Sequence, residues 1–288
     1  MHILITGASG FIGKNLVEAL GNAYSLFFPS SQELNLLDTK AVEEFFKKNT
    51  IDVVIHCAKE DSVNRQDISE ATVLDHNLRM FFNLARCNTL YKKMFYLGSG
   101  AEYDRVTMPY YVSEDYHSDM PQDAYGFSKY IMNEYASISS NIYNLCLFGV
   151  FGKYEEYKRR FISNNICRSL KGLPMTLRQD AIFDYLYIKD FAKILIWFIE
   201  NKPKYHRYNI CSGEGVMLSA IGKIIAEETN NSASIQIANS GFQHSYTGSN
   251  KRMLNEIGLF QFTPLEIAVE ELSSYYRTIL DTISVDEL

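Results

Sequence analysis

The sequence predicts an α/β fold: a doubly wound parallel sheet with a smaller C-terminal lobe packed against it. Two observations carry this. The first half of the 288-residue chain alternates unbroken apolar runs with amphipathic stretches, the rhythm of a parallel sheet covered by helices on both faces. The first apolar run leads straight into a glycine-rich turn that opens a helix. The composition agrees: 47% of the residues are hydrophobic, and a chain of this length buries roughly 75% of its unfolded surface.

The elements follow in order. Residues 2–6 (His-Ile-Leu-Ile-Thr) form the first strand, and residues 12–20 the first helix. A strand at 25–28 precedes a helix at 39–48; strands at 52–57 and 93–98 flank a long helix over 69–90. A helix at 125–139, its opening marked by Pro121 and Asp123, leads to a strand at 143–148. The rhythm then changes to helices at 160–171, 190–201, 218–228 and 265–280, with strands at 181–188 and 208–211. Crossovers between parallel strands should be right-handed. The expected division is a dinucleotide-binding domain over 1–150, with returning segments near 181–212, and a lobe made of 151–180 and 213–288.

Charge and targeting narrow the function. The net charge of −6 argues against a broad nucleic-acid surface, although a local basic pocket is compatible with it. No run approaches the ~18 apolar residues of a membrane span. The first apolar run is three residues long with no basic segment before it, so a cytoplasmic protein is expected. The terminal Val-Asp-Glu-Leu looks like a retention tag, which without an entry signal reads as coincidence. The five cysteines are scattered and read as buried free thiols; the six histidines show no paired helical spacing, so no metal site is expected.

The glycine turn is Gly7-Ala8-Ser9-Gly10-Phe11-Ile12-Gly13. Backbone N–H groups at a helix N-terminus bind anions. The first glycines let the backbone approach a pyrophosphate, and the third permits close helix–strand packing. The sheet is therefore expected to be of the Rossmann type. An NAD site carries an acidic residue after the second strand, for the ribose 2′-hydroxyl. Here the chain reads Pro29-Ser30-Ser31-Gln32. Two hydroxyls and no carboxylate favour NADPH, with NADH or NAD as the alternative.

Tyr125 and Lys129 lie four apart at the start of a helix and share a face. An ammonium beside a phenol favours its phenolate, and such a tyrosine moves a proton at a carbonyl oxygen. The same spacing recurs at Tyr154/Lys158 and Tyr185/Lys189, but Tyr154 falls in a charged loop and Tyr185 in a strand. Ser99, 26 residues before Tyr125, ends the fourth strand, where sites in open parallel sheets lie.

Together these residues resemble an extended short-chain dehydrogenase/reductase acting on nucleotide sugars. Further landmarks are His56-Cys57-Ala58, Leu97-Gly98-Ser99, Phe183-Asp184-Tyr185 and Tyr208-Asn209-Ile210-Cys211-Ser212-Gly213. The resemblance implies catalysis by Ser99, Tyr125 and Lys129. It implies cofactor contacts from the glycine loop, Ser30, Ser31, Leu37, Asp38 (to adenine), Cys57, Ala58, Lys59, Asn77, Leu97 and Lys129. For the nucleotide-diphosphate sugar it implies Glu102, Tyr103, Gly149, Lys158, Arg160, Arg178 and Arg252. For Asn77 a buried structural amide competes with a site role. A homodimer through helices 69–90 and 125–139 is expected.

The segments 31–38 and 97–103 are most similar to the GDP-fucose synthase subgroup. That subgroup carries a cysteine two residues after the serine, where this chain has Ala101, and a histidine that falls near Arg160. A methyl group removes no proton from carbon, so epimerisation is expected to be absent. Gly100 and Ala101 also replace the acid pair of the 4,6-dehydratases, and Glu102 lies one residue past the decarboxylases' glutamate. What remains is reduction of a nucleotide-linked 4-keto sugar. The alternatives are an NAD-dependent 4-epimerase and a catalytically silent cofactor-binding scaffold.

Overall fold

The computed structural model describes residues 1–60, 68–231 and 235–288. In chain order the elements are β1 (His2–Thr6), α1 (Phe11–Leu20), β2 (Ser25–Phe27), α2 (Thr39–Lys48), β3 (Val53–His56), α3 (Glu70–Ala85), β4 (Lys93–Ser99), α4 (Ala124–Ile138), β5 (Ile142–Leu147) and β6 (Gly149–Phe151). They continue with α5 (Phe161–Leu170), β7 (Thr176–Leu177), β8 (Ile182–Tyr187), α6 (Ile188–Glu200), β9 (Arg207–Ile210), β10 (Gly215–Met217), α7 (Leu218–Thr229), β11 (Gln236–Ile237), α8 (Lys251–Ile257) and α9 (Leu265–Thr278).

Six strands form one parallel sheet in the order β2-β1-β3-β4-β5-β9. The unbroken apolar runs are explained by burial on both faces. Ile3, Ile5, Val53, Ile55 and Phe95 face Leu16, Leu20, Ile194 and Phe198 on α1 and α6. Their neighbours Leu4, Val54, Met94 and Tyr96 face Val42, Phe46, Phe81, Leu84 and Met132 on α2, α3 and α4. Each such aliphatic side chain contributes roughly 1.5–3 kcal/mol by leaving water.

Side-chain caps define where the helices begin. Asp38 accepts from the N–H groups of Lys40 and Ala41 to start α2; Ser69 and Asp123 do the same for α3 and α4. The long third helix ends at Ala85, five residues before the sequence suggests, because Asn88–Leu90 tightens into a 3₁₀ turn. Asn141 Nδ2 donates to the carbonyls of Asn88 and Tyr91 at 2.9 and 3.2 Å and holds that turn.

The returning segments divide. β9 pairs with β5 in the main sheet, and Lys93 on β4 caps the end of α6 by donating to the carbonyls of Phe198, Ile199 and Asn201. β8, expected with them, instead lies between β6 and β10 in a second, three-stranded sheet. The reason is visible in two sequence landmarks. Buried Asp184 on β8 accepts from Ser212 N, Ser212 Oγ and Gly213 N at 2.7–2.8 Å. Burial pushes its carboxyl up to about 6 against those bonds.

Among the described residues no helix is long and apolar enough to cross a membrane. The five cysteines are free thiols.

Candidate active site

A cleft of about 2130 Å³ opens at the carboxyl ends of the central strands. β1 has β2 on one side and β3 on the other, so the strand order reverses where the glycine loop lies, as expected for ligand crevices in open sheets.

Contact with the β3 end dictates Gly7, and contact within the loop itself dictates Gly13. Gly7 has φ +68, and a Cβ on it would lie 2.6 Å from Ala58 N. A Cβ on Gly13 would lie 2.3 Å from Gly7 O. Helices α2, α3 and α4 have side-chain N-caps, whereas α1 has Gly10 at its N-cap and no side-chain cap. The first amides of α1 therefore face the cleft uncapped. Beneath them, Thr6 Oγ1 and His56 Nδ1 lie 2.8 Å apart and join β1 to β3. Burial, helped by the Lys129 ammonium, pushes His56 down to about 3, so it stays neutral.

The three expected catalytic residues lie on one stretch of wall. Ser99 ends β4 and caps the turn Gly100–Glu102, with Ala101 N donating to Ser99 Oγ at 3.2 Å. Gly126 lets the first turn of α4 pack on that turn: a Cβ there would lie 2.5 Å from Ala101 O. Tyr125 and Lys129 are thereby brought to the cleft beside Ser99. Lys129 is buried and its Nζ donates to Leu97 O at 2.8 Å. Burial pulls its ammonium below the usual lysine range, partly offset by Tyr125 and Glu102. Lys129 and Lys59 place their Nζ atoms 5.8 and 5.3 Å from the Tyr125 ring centroid. The other two Tyr-x-x-x-Lys pairs are taken apart by partners: Tyr154 bonds Glu18, Lys158 pairs with Glu287, and Lys189 with Glu271.

Ser9, Phe11, Ile12, Ser30, Ser31, Leu37, Cys57, Ala58, Lys59 and Leu97 also border the cleft. Asp38 and Asn77 do not. Asp38 is occupied in capping α2. Asn77 is buried and pins the loop after β3 by donating to Glu60 O at 2.8 Å and accepting from Glu60 N at 2.9 Å.

Of the expected substrate residues, Gly149, Lys158 and Arg160 border the cleft, and Arg159 joins them. Four do not. Glu102 is buried on the far side of its turn, where it accepts from Ser99 N and Asn144 Nδ2 and pairs with Arg207 at 3.3 Å. Tyr103 is 1% exposed and donates to Asn209 Oδ1 at 2.9 Å under the Arg207 guanidinium. Arg252 pairs with Glu114 and Asp115 in a separate pocket. Arg178 is exposed outside the cleft, and Gln179 borders it instead. A polar residue beside a motif has many possible partners within the chain, and spacing alone does not identify them.

Three site residues escape the sequence reading. Tyr246 places its hydroxyl 3.4 Å from Ser99 Oγ; Arg105 lies 5.4 Å over its ring. Tyr246 arrives through long-range pairing, donating from its N to Ile182 O and accepting at its O from Asp184 N, and nothing local in the sequence signals that. Glu155 borders the cleft 8% exposed, holding Ser163 Oγ at 2.5 Å. Burial pushes its carboxyl up to about 8.

The model of the NAD dependent epimerase/dehydratase family matches residues 3–211. GDP-L-colitose synthase of Yersinia pseudotuberculosis is 24% identical over 254 residues, covering 79% of this chain and 82% of that protein. The crystal structure of a GDP-L-fucose synthetase from Naegleria fowleri bound to NADP superposes with a TM-score of 0.84 at 18% identity, over 98% of this chain and 94% of that one. The UDP-glucose 4-epimerase of Thermotoga maritima with UDP-glucose does so with a TM-score of 0.84 at 21% identity, over 97% and 100%.

Proposed function

The chain belongs to the NAD dependent epimerase/dehydratase family, and within it we propose an NADPH-dependent reductase of a nucleotide-linked 4-keto deoxysugar that does not epimerise its substrate. The observation that carries this is the joining, in one cleft, of the bare α1 N-terminus with Ser99, Tyr125 and Lys129. The names of the GDP-L-fucose synthetase and GDP-L-colitose synthase relatives, and the NADP bound to the former, support it.

The residues present fit a dinucleotide. The glycine loop borders the cleft, and the uncapped α1 amides beside it would hold the pyrophosphate. Ser30 and Ser31 border the cleft at the end of β2, and Glu33 is tied back to Ser30 N at 2.8 Å. Hydroxyls at that position suit a 2′-phosphate. When bound, the cofactor supplies hydride to the keto carbon. Tyr125 delivers the proton to the keto oxygen, and the ammonium groups of Lys129 and Lys59 stabilise the charge this leaves on the phenol oxygen. Ser99 donates to the same oxygen as charge develops there, an interaction stronger in the transition state than before it. Arg159 and Arg160 would neutralise the substrate diphosphate; Lys158 borders the same wall but is paired with Glu287. Ala101 is 1% exposed and offers no base to the sugar's C3 or C5.

The test is oxidation of NADPH and of NADH with a panel of 4-keto nucleotide sugars. Stoichiometric oxidation, faster with NADPH, is expected. Cofactor held tightly with no net oxidation, alongside interconversion of 4-hydroxy sugars, would instead identify a 4-epimerase; inertness to the whole panel would identify a silent binding protein.

We also propose a homodimer through α3 and α4. Leu78, Phe82 and Tyr135 are only partly covered there, and Ile138 is 83% exposed. Light scattering should give twice the chain mass, falling to one chain for Ile138→Glu combined with Phe82→Glu. A monomeric native protein would refute it.

A further inference from the structure

Ser99 Oγ has one proton to donate and two lone pairs to fill. One lone pair accepts from Ala101 N at 3.2 Å. The second neighbour is Tyr246, whose hydroxyl lies 3.4 Å away. We propose that Tyr246 is a positioning residue for Ser99: its phenol donates to the second lone pair, so that the serine's own proton is left to point at the substrate's keto oxygen. This rests on the ketoreductase reading above.

Three further observations converge on it. The Tyr246 ring is held on several sides, with its centroid 5.1 Å from that of Phe148 and 5.5 Å from that of Phe183, and with Arg105 above it. A ring so packed presents its hydroxyl at a defined place. Burial keeps the phenol well above the usual tyrosine range, so it remains a donor. Position 100 is matched to it: a Cβ on Gly100 would lie 2.7 Å from the Tyr246 hydroxyl and 2.8 Å from Phe148 Cε1. The small residue that follows Ser99 is thus the space Tyr246 occupies. Without Tyr246, the Ser99 hydroxyl is held at one lone pair only and rotates among orientations, most of which miss the substrate.

The prediction separates from a packing role by a double-mutant cycle, since residues acting through one another are non-additive. In the native enzyme Tyr246→Phe should lower kcat by about tenfold, the scale of one neutral hydrogen bond, with KM for the sugar and Kd for NADPH changed by less than about twofold. In a Ser99→Ala background the same substitution should change kcat by less than about twofold. Gly100→Ala, which displaces the Tyr246 hydroxyl, should reproduce the Tyr246→Phe loss. An equal loss in both backgrounds, a rise in KM at constant kcat, or no loss at all would overturn the proposal. Failure of the native protein to turn over any 4-keto nucleotide sugar would instead sink the ketoreductase reading, and this role with it.

Discussion

Tyr125→Phe is expected to lower turnover of a 4-keto nucleotide sugar by about 10²- to 10⁴-fold, the contribution of a positioned general acid. Affinity for NADPH should change by less than about twofold. The split follows from geometry. The phenol hydroxyl is the proton source, whereas the Tyr125 ring, flanked by Lys59 and Lys129, remains in phenylalanine. The measurement is steady-state kinetics beside a fluorescence titration of NADPH. Turnover within tenfold of the native rate would remove Tyr125 from its role, since Ser99 has its own fixed partners and would carry the reaction without it.

Gly13→Ala is expected to cost about 1–3 kcal/mol of stability, the usual range for overpacking, and to weaken NADPH binding by more than about tenfold, roughly the loss of one strong hydrogen bond. The added methyl would lie 2.3 Å from Gly7 O and 2.6 Å from Ala8 Cα. Both are backbone positions of the loop itself, so relief requires the loop to open away from α1. Gly172→Ala provides the control. Unlike Gly13 it sits at positive φ (+71), but a Cβ there meets nothing within 4 Å, so it should lose about 1 kcal/mol from backbone strain alone and leave NADPH binding intact. Thermal unfolding and cofactor titration on both variants check this. Native affinity in Gly13→Ala would show that the loop does not hold the dinucleotide.

The contrast between these two glycines shows what a sequence makes legible. Residues 7–13 follow the first strand and open the first helix, and local chain geometry sets their role. The same is true of Tyr125 and Lys129, four apart on α4, and of the apolar runs whose alternate residues Ile3/Ile5 and Leu4 turn to opposite faces. Glu102, Tyr103 and Arg252 stand close to motifs or in a favourable lobe, yet each is consumed by a partner distant in sequence: Arg207, Asn209 and Glu114. Tyr246 is the reverse case. It is 147 residues from Ser99 and enters the site only because its backbone pairs with β8. Such residues carry no periodicity and no neighbouring motif, so a linear reading passes over them. Electrostatics behaves similarly. The net charge of −6 argues against a nucleic-acid surface, but says nothing of local features such as the uncapped α1 amides and the Arg159 and Arg160 side chains that border the cleft.

Isotope placement in the product distinguishes reduction at C4 without epimerisation from every alternative that exchanges a ring proton. The reaction is run in D₂O with a 4-keto nucleotide sugar and unlabelled NADPH, then in H₂O with NADPH deuterated at nicotinamide C4, and both products are read by NMR. Cofactor deuterium is expected at sugar C4, with no solvent deuterium at C3 or C5 beyond that of the substrate incubated alone. Enzyme-dependent solvent deuterium at C3 or C5 would contradict that reading, as would a C4 position free of the cofactor's label.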